Sequence, residues 1–116
     1  MSWESTLYTA LRTLAKDQVF PDLAPAGAAR PYITYQAVGG EAVNFVEGGA
    51  PGTRNARVQV NVWAETRLEV SQLGNAAEDI LRDVAALQTT VLGAAVAMFD
   101  EDTGLRGQRQ DFSFWY

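Results

Sequence analysis

Apolar residues recur along this chain at two spacings, and the changes between them mark out its elements. Trp3, Leu7, Ala10, Leu11 and Leu14 fall at i, i+4, i+7, i+8 and i+11, on one helical face, while Glu4, Ser5, Arg12 and Lys16 lie elsewhere. Ser2 stands where an N-cap is needed. Val19-Phe20-Pro21 breaks that period, and the Ala-, Gly- and Pro-rich residues 22–31 read as an ordered but irregular connector. Pro31 suits the start of a strand, and Tyr32 to Val38 supplies the β-branched and aromatic residues of one. Between Asn44 and Asn55 the run Gly48-Gly49-Ala50-Pro51-Gly52 cannot sustain a ladder, which predicts the longest loop of the molecule there.

Val58, Val60 and Val62 then alternate strictly with Arg57, Gln59, Asn61 and Trp63, predicting a strand with one core face and one polar face. Thr66-Arg67-Leu68-Glu69 has capping-box spacing. The stripe Leu73, Ala77, Ile80, Val84 and Leu87 predicts a second helix of about six turns packed on the valine face. Val91, Val96, Met98 and Phe99 read as a short apolar strand, and Asp100 to Gly104 as a polar turn. Asp111-Phe112-Ser113-Phe114-Trp115-Tyr116 alternates as a core strand, closing a hairpin. The order helix, strand pair, helix, strand pair predicts an α+β fold: a mainly antiparallel four-stranded sheet with two helices packed on one face, in a single domain over 1–116.

Composition narrows the chemistry. The 116 residues, 47% hydrophobic, suit one core and are too few for two. The chain has no cysteine, which removes thiolate nucleophiles and iron–sulfur ligation, and no histidine, which removes the commonest general base and metal ligand. No apolar run reaches the roughly 20 residues of a bilayer span, and the start lacks the basic residues of a secretory signal, so the expectation is a soluble protein made in a cytoplasm. A net charge of −5 is the wrong sign for gripping phosphate. A mildly acidic wall would instead let a nucleic acid slide past.

Three motifs come closest to a chemical site, and each has a plainer reading. Asp100-Glu101-Asp102 resembles the opening of a calcium loop, but Leu105 stands where that loop needs Gly and Asp111 where it needs Glu, leaving a solvated turn. The Gly48 to Gly52 run lacks the Gly-Lys-Ser/Thr ending of a P-loop and precedes a strand, so it reads as a flexible loop, with ordering against a partner as the alternative. The residues in question are Phe45, Glu47, Gly48, Gly49, Gly52 and Arg54. Glu65, Glu69 and Asp111 show no sign of facing one cleft as a catalytic carboxylate pair. No catalytic residue, cofactor site or metal site is expected.

The polar strand face carries a stronger signal. Arg57, Gln59, Asn61 and Trp63 would join Arg109, Asp111, Ser113 and Trp115 in one surface if their strands are neighbours. Two tryptophans and two arginines among polar residues make the composition of an interface anchor, whereas a solvated face usually carries Thr, Lys and Glu. The alternatives are a helix over part of that face, or plain solvation.

Several stretches together resemble the tail-completion, or tail-terminator, proteins of long-tailed bacteriophages and prophages. They are Val19 to Asp22, Arg30 to Gln36, Arg57 to Ala64 running into the capped helix, Asp102 to Leu105, and Asp111 to Tyr116. The resemblance lies in their order and spacing across nearly the whole chain, since each stretch alone is a generic strand or turn. One departure is Asn61, where the family more often carries Asp. The resemblance implies a non-enzymatic virion protein without cofactor, built into the head-proximal end of the tail in the host cytoplasm. It implies a homo-oligomeric ring, usually a hexamer, that caps the tail tube protein, ends polymerisation and meets the head-completion or connector protein, with DNA passing through and no membrane involved. The rival expectation is a small bacterial ligand-binding or regulatory domain with Tyr32, Tyr35, Trp63 and Trp115 lining a pocket.

Overall fold

Two ten-residue strands form the axis of the molecule. In the computed structural model, which describes residues 2–44 and 52–116, the helices are α1 (Trp3–Leu11) and α2 (Arg67–Arg82). The strands are β1 (Val19–Pro21), β2 (Tyr32–Ala37), β3 (Asn55–Ala64), β4 (Thr90–Val91), β5 (Val96–Phe99) and β6 (Arg106–Trp115). β3 and β6 pair antiparallel along their whole length, from Asn55 opposite Trp115 to Ala64 opposite Arg106. β2 flanks β3, β1 flanks β2, and β4 and β5 share the far edge of β6.

Strict alternation makes this pairing two-sided. Val58, Val60, Val62, Phe112 and Phe114 point to one face, where they form a core with Leu7 and Leu11 of α1 and Val70, Leu73, Ala77 and Leu81 of α2. Both helices therefore cover the valine face. Ser2 caps α1 by accepting from the Ser5 N–H at 3.1 Å, and Thr66 caps α2 by accepting from the Glu69 N–H at 3.2 Å. α2 approaches β6 closely at Gly74, where an added Cβ would sit 1.6 Å from the Gln108 amide.

The α+β class holds, but the sheet is mixed and six-stranded rather than four-stranded. Val19-Phe20-Pro21, from sequence only a break in the helical period, is the strand β1; its three residues are too few to show a period, and they pair in parallel with β2 through Val19 opposite Ile33. The apolar run 91–99 is two strands, because after Leu92, whose N–H still donates to Asp111 O at 3.0 Å, residues 93–95 leave the edge and the Gln110 side chain fills the gap. Its amide donates to Gly93 O at 2.9 Å and to Glu78 Oε1 at 2.7 Å. α2 is also shorter than its stripe. Val84 turns extended, and a 3-10 turn over Ala85–Leu87 brings Leu87 back into the core, so the apolar spacing outlasts the helix.

Candidate functional site

The face of the sheet away from the helices carries the odd-numbered residues of β3 and β6. The register sets Arg57 opposite Ser113, Gln59 opposite Asp111, Asn61 opposite Arg109 and Asn55 opposite Trp115. All eight residues of the expected polar surface, Arg57, Gln59, Asn61, Trp63, Arg109, Asp111, Ser113 and Trp115, therefore share one face. Tyr32, Thr34 and Gln36 of β2 extend it, each opposite an odd-numbered residue of β3.

This face has two unlike ends. At one end Trp63 lies across β6, where Gly107 makes room for it: a Cβ at Gly107 would fall 2.6 Å from the indole. The connector after β1 crosses over here, and Leu23 and Ala24 share a concavity with Tyr32, Thr34, Asn61, Trp63 and Met98. Thr34 is buried as a result. Burial pushes the Tyr32 hydroxyl above its ordinary pKa; Arg30 opposes that shift, while nearby Asp100 adds to it. The cover is thus an irregular connector, not the helix weighed from sequence, and Trp63 is half-buried by its own chain.

The other end is open. The Arg57 guanidinium reaches the same Asp111 oxygen through Nη2 at 2.7 Å and Nε at 2.9 Å, a diagonal cross-strand pair. Gln59, Asn61 and Arg109 make no side-chain hydrogen bond or ion pair among the described residues. Leu92 and Val96, both exposed, rim a shallow concavity with Arg57, Gln59, Arg109 and Asp111. Unspent donors and acceptors beside exposed apolar side chains suit contact with a macromolecule better than enclosure of a small one.

The root of the long loop sits on the same end. The Asn55 side chain accepts from the Glu41 N–H at 2.8 Å and donates to Ser113 Oγ at 2.8 Å and Phe114 O at 3.1 Å. Gly40, at φ +140, packs its backbone against β3 where a Cβ would meet Asn55 O at 2.7 Å. Arg54 and Tyr116 exchange backbone hydrogen bonds. Of the loop residues singled out from sequence, Gly52 and Arg54 are exposed at this root, while Phe45, Glu47, Gly48 and Gly49 lie outside the described residues. The clamp at Asn55 and Gly40 was missed from sequence, since a lone Asn or Gly carries no long-range signal.

The pocket of the rival reading does not form from its four aromatics. Tyr35 lies on the helix face against Trp3, ring centres 5.8 Å apart, whereas Tyr32 and Trp63 lie at the covered end of the polar face. Trp115 stands at the opposite end of β6 from Trp63. The acidic turn is closed on itself: Asp100 accepts from the Asp102 N–H and from the Thr103 hydroxyl, each at 3.0 Å. Among the described residues no group of three acidic, His or Cys side chains is placed to hold a metal ion, and no helix is long and apolar enough to cross a membrane.

The fold recurs in a solved particle. A chain of the virion of a native gene transfer agent (GTA) particle superposes with a TM-score of 0.57, covering 94% of this chain and 90% of that one at 16% identity. No curated protein matches the chain. The family model described as tail completion protein gp17 matches residues 7–116, from the middle of α1 to the last residue. The chain belongs to the tail completion protein gp17 family, and its role is a structural one in a phage tail.

Proposed function

We propose that this protein caps the head-proximal end of the tail tube as a homo-oligomeric ring, six-fold in the usual case, stops tube polymerisation and presents a surface to the head connector. The family match across residues 7–116 is the observation that carries this reading. It works without catalysis: the cap binds the last ring of tube subunits more favourably than a further tube subunit does, and mass action ends growth. A ring closed by head-to-tail contacts needs two different patches on each subunit. We assign one to the open end of the polar face, Arg57, Gln59, Asn61, Arg109, Asp111, Ser113 and Trp115 with Trp63 behind them. The other is the 44–55 loop, with its root pinned by Asn55.

Chemistry supports the assignment. The open end joins a half-exposed ion pair to polar groups without hydrogen-bond partners among the described residues and two exposed aliphatics, which is interface composition. The net charge of −5 suits a ring through which DNA passes without adhering. Assembly takes place in the cytoplasm of the bacterial host, before head and tail join.

Electron microscopy of particles induced from a lysogen lacking this gene tests the reading. Overlong, headless tails that regain normal length and heads when the gene is restored are expected. Normal virions from the deletion would overturn it.

A further inference from the structure

The two edges of the sheet are built differently. On β1 the groups that face away from β2 are, apart from the Val19 carbonyl, already used or missing: the Val19 N–H donates to Asp17 O, Pro21 has no N–H, and Pro21 O accepts from the Leu23 N–H. That edge is closed to another strand. β5 has no such protection. The Asp100 N–H donates to Leu105 O, so by the alternation of an antiparallel ladder Met98 is hydrogen-bonded to Gly107 while Ala97 and Phe99 turn their N–H and C=O outward. Their neighbours are apolar and open to solvent, with Val96 49% and Phe99 55% exposed.

Charge along this edge is dipolar. Arg109, opposite Val96 and without an ion-pair partner among the described residues, marks one end. Asp100-Glu101-Asp102 marks the other, with Glu101 and Asp102 exposed; Arg106, whose guanidinium lies 5.2 Å over the Phe99 ring, is also at this end, but the three carboxylates outnumber it and leave the end net negative. An edge with a cation at one end and carboxylates at the other is self-complementary under two-fold rotation. Antiparallel pairing about Met98 sets Ala97 opposite Phe99 of the second copy, and the acidic turn of each chain beside the Arg109 row of the other.

We propose that the free β5 edge, Val96–Phe99, pairs antiparallel with the same edge of a second copy of this chain. Four residues per strand bury far less than a standard interface, so the dimer is weak and forms with rising concentration and falling salt. It is a property of the free subunit, and it draws on Val96 and Arg109, which also border the open end of the polar face.

Sedimentation of the purified protein over a concentration series at low salt tests this. The wild type shifts from monomer to dimer mass. Ala97→Pro, which transplants the device of Pro21 to an outward N–H, weakens dimerisation by about tenfold or more. Should that variant fail to fold, charge reversal serves: Arg109→Glu alone and Glu101→Lys/Asp102→Lys alone each weaken the dimer, and the three together restore it. A monomer at every concentration, an assembly larger than a dimer, or a dimer indifferent to all these changes overturns the proposal.

Discussion

The same two strands, β3 and β6, present a dry face and a wet one, and the two faces carry different work. On the helix side Val58, Val60, Val62, Phe112 and Phe114 are almost wholly out of water. On the other, Arg57 and Arg109 are exposed to it and Gln59 and Asp111 half-buried. A slip of one residue in register would exchange the two sets, so the apolar face fixes the pairing, and the polar face is free to be chosen for contact. Stability and recognition are thereby divided between odd and even positions of one ribbon.

Substitutions should separate the two roles, and the largest effect falls on the dry face. Phe114→Ala, which empties a site stacked on Phe112 and touched by Trp3, should cost about 3–5 kcal/mol in denaturant unfolding. Next comes the covered end of the wet face. Gly107→Val forces the Trp63 indole off β6, and a loss of about 1–3 kcal/mol with a change in tryptophan fluorescence is expected. Such a change would sharpen the comparison, because it shows the Trp63 end behaving as core although it lies on the polar side.

At the open end the expectation reverses. Arg57→Ala should shift stability by less than about 1 kcal/mol, because half of the side chain is already in water, yet it should impair complementation of a deletion lysogen. The smallest effect concerns the edge break. Hydrogen bonds from Gln110 and then Arg82 hold the Glu78 carboxyl below its usual pKa. A depressed carboxylate contributes stability above the unfolded pKa, near 4.3, and loses it as pH falls through the folded value. The gap in melting temperature between wild type and Glu78→Gln should therefore shrink from about pH 6 to about pH 3.

Local pattern made much of this fold legible. Helix stripes, the Thr66 cap, the β3 alternation and the closing aromatic strand depend on residues close in sequence, whereas the β3–β6 pairing stood in the sequence only as a condition, which the structure meets. What escaped depends on distant partners. β1 is a strand because Ile33 lies beside Val19, and the break at residues 93–95 goes with Gln110 reaching Gly93. The cover over Trp63 comes from a connector whose small residues carry no period. In the candidate site the polar surface was readable as a set; its division into a packed end and an open end was not, since that is decided by where the chain after Pro21 crosses.

The central claim is that the open end of the polar face joins this subunit to its neighbours in the tail. Its most direct test is to supply Arg57→Ala/Gln59→Ala/Asp111→Ala to a lysogen lacking the gene and to examine the induced particles by electron microscopy, with the purified variant melted alongside. The account predicts a folded protein, melting close to wild type, whose particles keep overlong tails without heads. Full-length virions at wild-type titre from that folded variant would contradict it.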